Sequence, residues 1–273
     1  MSAGRASARR LVALDIDGTV MHEDGTITDA VTEAIARVVA QGDEVMLATG
    51  RSPASTLPVV ARLGISPEYV ICCNGAVTLR RDPEAVGGYR PDVIETFDPS
   101  EVLQTIRRFL PDAHYAVEDA DGAFFYTEAF PGAEVMGVET THVPFDELLG
   151  RQCTRVVVIS PETSIDEFSD LIERMGLHEV SYAIGWTAWL DIAPHGVNKS
   201  TALELVRQQL GIDRRDVVAL GDGRNDIEML TWAAEEGAGL AMGQAPDEVR
   251  SVASAVVPAV HDDGVAAALS ALR

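Results

Sequence analysis

Residues Leu11 to Leu14 form an unbroken, partly β-branched apolar run that ends in Asp15-Ile16-Asp17-Gly18. A run of that kind, closed by a glycine that permits a sharp turn, is the pattern of a strand buried on both faces. Behind it the hydrophobic period alternates. Helical spacing over Ala30–Gln41 stops at Gly42, a short strand covers Glu44–Ala48, helical spacing returns over Pro53–Leu63 up to Gly64, and Tyr69–Cys73 is a third strand. This β-α-β-α-β order predicts a parallel, doubly wound sheet. From about Asp82 to Ala188 the pattern changes to strand-like pieces at Val93–Phe97, Ala113–Val117, Phe124–Thr127, Arg155–Ile159 and Val180–Ile184, with helices over Ser100–Leu110 and Ile165–Met175. The first rhythm then resumes: helix Lys199–Leu210, strand Val217–Leu220, helix Asn225–Glu235, and short strands at Gly239–Met242 and Ala255–Val257. The chain therefore reads as an α/β protein. A doubly wound core over residues 11–81 and 192–273 is interrupted by an α+β unit over 82–191, and residues 1–10 form a flexible lead-in.

Composition narrows the picture. The 273 residues, 47% of them apolar, suffice for two units of unequal size. A formal charge of −22 argues against a nucleic-acid or anionic-membrane partner, since either requires a basic surface. Cys72, Cys73 and Cys153 have neither a disulfide framework nor zinc spacing, and read as core thiols in a reducing compartment. No apolar run approaches the roughly 18 residues of a membrane helix, and residues 1–10 lead into no cleavable apolar stretch. A cytoplasmic location is the expectation.

Four polar clusters fall at the ends of the predicted core strands. Asp15 and Asp17 are close enough to repel, so keeping both ionised in a partly desolvated pocket requires a cation or a shared proton; the alternative is an acidic turn. Thr49-Gly50-Arg51 precedes a helix opening with Ser52-Pro53, where a hydroxyl and free N–H groups suit an anionic oxygen, or where Thr49 simply caps the helix. Lys199, in Gly196-Val-Asn-Lys-Ser200, sits at a helix start that the macrodipole makes unfavourable for a cation. Such a lysine ordinarily faces solvent unless an anion reverses the preference. In Gly221-Asp222-Gly-Arg-Asn225-Asp226, Asp222 and Asp226 can share one cation, or Asp226 can cap its helix or neutralise Lys199.

Together these clusters resemble the four motifs of the haloacid dehalogenase-like phosphatase superfamily, in its Cof-type sugar-phosphatase branch with a C2-type cap. Ile71-Cys-Cys-Asn74-Gly75-Ala76 is similar to a turn this branch carries before its cap. The resemblance covers nearly the whole chain and implies a Rossmann-like core, with 82–191 as the cap. It implies a magnesium-dependent phosphatase of small phosphorylated metabolites, sugar phosphates or related monoesters, acting through an aspartyl-phosphate. Asp15 would be the nucleophile and Asp17 the general acid and then base. Asp15, Asp222 and the Asp17 carbonyl would hold Mg2+, while Thr49, Gly50, Lys199 and Asn225 would hold phosphoryl oxygens, supported by Asp226, Arg51 and Asn74. Val20, Ser200 and Thr49 depart from the commonest residues without removing a functional group. The cap would contact the leaving group through one or two of His114, Tyr115, Glu118, Phe125, Tyr126, Trp186 and Trp189, foremost His114, Tyr126 and Trp189. The partner implied is a small phosphate ester bound by a monomer or homodimer. Two alternatives are a phosphotransferase or phosphomutase of the same superfamily and a non-catalytic phosphometabolite sensor.

Overall fold

Strand β1 (Leu11–Leu14) is buried throughout because it has a parallel neighbour on each side, β2 (Glu44–Leu47) and β12 (Val217–Gly221), with strands numbered in chain order. β13 (Ala238–Ala241) and β14 (Ala255–Val256) extend the sheet beyond β12, giving the order β14-β13-β12-β1-β2. The structure is a computed structural model that describes residues 9–128, 140–175, 177, 180–184 and 188–272. The chain divides into two compact units: residues 1–49, 59–70 and 199–273 form the first, and 50–58 with 71–198 the second. The first eight residues of the expected lead-in, and Trp186, lie outside the described residues.

In the first unit, α1 (Asp29–Ala40) begins where the Thr28 hydroxyl accepts the Val31 N–H, and it buries Val31, Ala34, Ile35 and Val38. It packs against α8 (Gly264–Ala271), while α5 (Lys199–Leu210) packs against α6 (Ile227–Ala234) and α6 against α7 (Asp247–Val252). Helix α2 (Pro53–Arg62) crosses from one unit into the other. The expected third core strand is present as β3 (Tyr69–Cys72), but in a different sheet. It forms a three-stranded sheet with β4 (Val77–Arg81) and β5 (Tyr89–Ile94). The physical reason is local: a three-residue turn at Cys73–Gly75 returns the chain directly into β4.

The second unit contains a six-stranded sheet, ordered β10-β11-β9-β6-β7-β8. Its strands are β6 (His114–Asp119), β7 (Phe124–Tyr126), β8 (Thr140–His142), β9 (Cys153–Ile159), β10 (Val180–Ile184) and β11 (Trp189–Pro194), antiparallel except for the β7–β8 pair. Period-two alternation splits its side chains between faces. Tyr115, Val117, Val156, Val158, Leu190 and Ile192 cluster with Leu103 and Ile106 of α3 (Ser100–Phe109) and Phe168 and Ile172 of α4 (Ile165–Met175). On the opposite face Ala116, Phe124, Val157 and Ile159 form a smaller cluster flanked by Tyr126 and Trp189. Among the described residues no helix is long and apolar enough to cross a membrane.

Phe168 is wholly buried between α3 and the sheet. Phe168→Ala is expected to cost about 3–5 kcal/mol, lost apolar transfer plus a residual cavity, measured by urea unfolding monitored by circular dichroism.

Candidate active site

The order of the parallel sheet reverses at β1, where the chain winds outward through β2 on one side and through β12 on the other. Such a switch point leaves a crevice at the carboxyl ends of the two strands. Leu14 stands in register with Leu220, so Asp15 and Asp222 emerge side by side, with the Asp15 N–H still donating to the Leu220 carbonyl at 3.0 Å. Both carboxylates are buried. The next residues turn back on themselves, the Gly18 N–H donating to the Met21 carbonyl at 2.9 Å. Gly18 has φ +77°, and a side-chain carbon there would lie 2.2 Å from Asp222 Oδ2, so the turn needs glycine on both counts. The Thr19 hydroxyl donates to Asp222 Oδ1 at 2.8 Å, and the Gln244 side-chain amide braces the turn by donating to the Gly18 carbonyl at 2.6 Å. Asp17 lies on the exposed side of this turn.

Lys199, the first residue of α5, is completely buried. The expectation that a lysine at a helix start faces solvent fails because two carboxylates enclose it: Nζ lies 2.6 Å from Asp15 Oδ1 and 2.6 Å from Asp226 Oδ1. The other Asp226 oxygen accepts the N–H groups of Asp222 and Gly223, each at 2.9 Å. Asp226 thus neutralises the lysine and shapes the loop after β12, and makes no side-chain cap bond to α6.

The electrostatics follow from burial. Desolvation alone would lower the Lys199 pKa, but Asp15 and Asp226 outweigh it and hold the ammonium above its ordinary value. Burial raises the Asp15 pKa well above the usual carboxylate range; Lys199 opposes the shift, and Asp226, Asp222 and Asp17 add to it. Burial, then the Asp226 charge, pushes Asp222 up to about 7, against the Thr19 hydrogen bond. Asp15, Asp222 and Asp226 present carboxylate oxygens within 4.8 Å of one another. Two of these carboxylates pair with the one ammonium and the third stands beside them, and the all-oxygen donor set they form suits a hard divalent cation, whose charge would favour their ionised forms. Because Asp226 already accepts three donors, Asp15 and Asp222 are the better placed ligands.

Thr49 is buried in the loop after β2, at the same sheet edge as Asp15, and Asn225 lies half-buried in the turn before α6. Ser52 rather than Thr49 directly precedes α2, its hydroxyl accepting the Ser55 N–H at 3.4 Å. Gly50, Arg51 and Asn74 belong to the second unit, where the Cys73 N–H donates to the Arg51 carbonyl at 2.9 Å. His114, Tyr126 and Trp189 share the sheet face away from α3 and α4, and the Trp189 indole donates to Asp191 at 3.1 Å. Three other expected leaving-group contacts are occupied within the unit. Tyr115 is core, donating to the Leu110 carbonyl and packing edge-on against Phe145; Glu118 is buried in an ion pair with Arg155 at 2.7 Å; Phe125 lies beneath the Arg151 guanidinium at 3.8 Å. Cys72, Cys73 and Cys153 are buried free thiols, as expected, and burial raises all three.

Sequence reasoning gave no role to Thr19, Gln244 or Arg155. Thr19 adjoins the Asp15-Asp17 cluster, and Arg155 interrupts an apolar strand, so both carried a signal. Gln244 carried none, since its role depends on the loop after β13.

The chain belongs to the haloacid dehalogenase-like hydrolase family, matched over residues 12–269. It is an enzyme of the phosphoric monoester hydrolase type. The chain is 26% identical over 261 residues to 5-amino-6-(5-phospho-D-ribitylamino)uracil phosphatase of Bacillus subtilis, covering 94% of each chain. In fold it resembles a haloacid dehalogenase-like hydrolase from B. subtilis, with a TM-score of 0.79 and 23% identity over 97% of this chain and 100% of the other. It also resembles a subclass IIB sugar phosphatase, with a TM-score of 0.78 and 21% identity over 96% and 98%.

Lys199→Met leaves the Asp15, Asp222 and Asp226 carboxylates uncompensated. In EDTA at neutral pH it is expected to destabilise the protein by about 3–5 kcal/mol, as removal of one partner of a buried ion pair does, measured by urea unfolding.

Proposed function

We propose that this chain hydrolyses small phosphorylated metabolites, sugar phosphates or related phosphomonoesters, through a phosphoryl-enzyme formed on Asp15. The observation that carries the reading is the buried Asp15 carboxylate held 2.6 Å from Lys199 with Asp222 beside it, at the sheet's switch point. In the first step an Asp15 oxygen forms a bond to phosphorus as the bond to the leaving alkoxide breaks. Asp17, on the exposed side of the turn, donates the proton that the alkoxide takes. In the second step Asp17 takes a proton from water, the water oxygen bonds to phosphorus, and Asp15 is released with inorganic phosphate. Lys199, Thr49, Gly50 and Asn225 bind phosphoryl oxygens, the ammonium matching charge that a neutral donor would not. Asp226 keeps Lys199 in place; Arg51 and Asn74 support the turn around Gly50.

Asp15, Asp222 and the Asp17 carbonyl are the groups that would hold Mg2+. Bound there, the ion would keep two buried carboxylates ionised and offset their repulsion of a phosphate dianion. We assign residues 82–191 as a cap inserted in a Rossmann-like core, and leaving-group selection to its face bearing His114, Tyr126 and Trp189. The resemblance to Cof-type enzymes supports this assignment.

Asp15→Asn is expected to lower turnover of p-nitrophenyl phosphate by on the order of 10⁴-fold or more, as loss of a nucleophile does; wild-type turnover in that variant would sink the assignment. EDTA is expected to abolish phosphate release in a colorimetric assay and added magnesium to restore it, with activity persisting in EDTA as the contrary result. A screen of phosphorylated metabolites in magnesium, ranked by kcat/KM, tests the substrate class.

A further inference from the structure

Arg155 is the one charged residue of β9, in a strand whose seven residues are all buried. Its Nε donates to Glu118 Oε2 at 2.7 Å, and Nη1 lies 3.6 Å from Asp191 Oδ1. The same Nη1 also donates to the main-chain carbonyl of Gly50 at 2.9 Å. Glu118 and Asp191 supply the charge compensation that a buried guanidinium requires; the bond to a neutral carbonyl of a distant loop is additional to it. A buried ion pair of this kind is weak support for stability, because well-packed apolar residues commonly serve as well.

What the network adds is geometry at Gly50. The Gly50 carbonyl is held by Arg155 and the next carbonyl, that of Arg51, by the Cys73 N–H at 2.9 Å, so two successive peptide groups are fixed in orientation. In a trans peptide the N–H points opposite the carbonyl, so holding Gly50 O also aims the Arg51 N–H. The brace behind them is strained: Cys73 and Asn74 are consecutive non-glycine residues at φ +50° and +52°. The Asn74 amide stands 3.1 Å from where a side-chain carbon of residue 50 would lie, so Asn74 packs closely over the Gly50 backbone.

We propose that Arg155 is a positioning residue: by holding the Gly50 carbonyl it fixes the Thr49-Gly50-Arg51 turn in the orientation that receives the phosphoryl group. This rests on the assignment of Thr49 and Gly50 to phosphoryl oxygens made above. The planar fork suits the role, since one guanidinium bonds a carboxylate and a carbonyl in fixed relation, which an ammonium cannot do.

The test compares wild type, Arg155→Ala, Arg155→Lys and Phe168→Ala, the last as a destabilised variant of the same unit that leaves the turn untouched. Turnover of p-nitrophenyl phosphate in magnesium and calorimetric binding of inorganic phosphate are measured for each, below its unfolding temperature. In both Arg155 variants kcat/KM is expected to fall by about 100-fold, as for a small misplacement of reacting groups, with weaker phosphate binding. Millimolar guanidinium is expected to restore part of the kcat of Arg155→Ala, and Phe168→Ala to keep wild-type kcat/KM. Wild-type kcat/KM and phosphate affinity in either folded Arg155 variant would overturn the positioning role. The Lys variant preserves the test should Ala not fold. Should wild type itself hydrolyse no phosphate ester, the reading of function fails, and phosphate affinity alone then decides the role of Arg155: weakened in the variants it stands, unchanged it falls.

Discussion

A single buried ammonium organises the first unit. Lys199 begins a helix, where the macrodipole disfavours a cation, and is wholly removed from water, which disfavours it further. It is tolerable only because Asp15 and Asp226 reach it, one from the end of β1 and the other from the loop after β12. The contact with Asp15 spans 184 residues of sequence. Elements far apart in the chain are thereby held in one arrangement around a charge. A third carboxylate, that of Asp222, lies beside the two that pair with the lysine, and such a cluster of oxygens is one that could hold a cation.

The backbone makes this gathering possible. Parallel strands in register deliver Asp15 and Asp222 to the same edge, and the turn through Gly18 passes so close to Asp222 that any side chain would collide with it. Thr19 and Gln244 then tie the turn to the loops after β12 and β13. Each bond is modest by itself. Collectively they hold the acidic groups in place before any ligand arrives, which is the form of preorganisation that electrostatic catalysis requires.

The second unit uses buried charge differently. One face of its sheet is closed by α3 and α4 with apolar side chains, while the other carries Glu118, Arg155 and Asp191 among small and aromatic residues. Burial raises the Glu118 pKa against the opposing pull of Arg155, and the guanidinium is held above its own ordinary value by its two acidic partners, despite its burial. The network reaches a main-chain carbonyl as well as side chains, so it constrains the course of the chain at Gly50.

Much of this was legible in the chain alone. Apolar runs and spacing marked β1, α5, α4 and β10 to within a residue, and in β1, α5 and α4 burial on one or two faces is what writes itself into that pattern. The clusters at Asp15, Thr49, Lys199 and Asp222 were visible because glycines and charged residues interrupt that spacing at strand ends. Short elements were less legible: β4 follows directly on the Cys73–Gly75 turn, β8 is three exposed residues, and α7 is only six residues long. Pairing was not legible either, since β3 reads as a core strand by composition while its hydrogen bonds pair it with β4, in the sheet that β5 completes. Residue types able to do the chemistry, and the strand ends that carry them, are written in the chain. It took the folded arrangement to bury Lys199 away from solvent, to set Asp226 against it, to pair Tyr115 and Glu118 within their own unit, and to bring Arg155 to Gly50. Those outcomes depend on charge and hydrogen-bond partners brought together from distant parts of the chain, and no local pattern records who the partner will be.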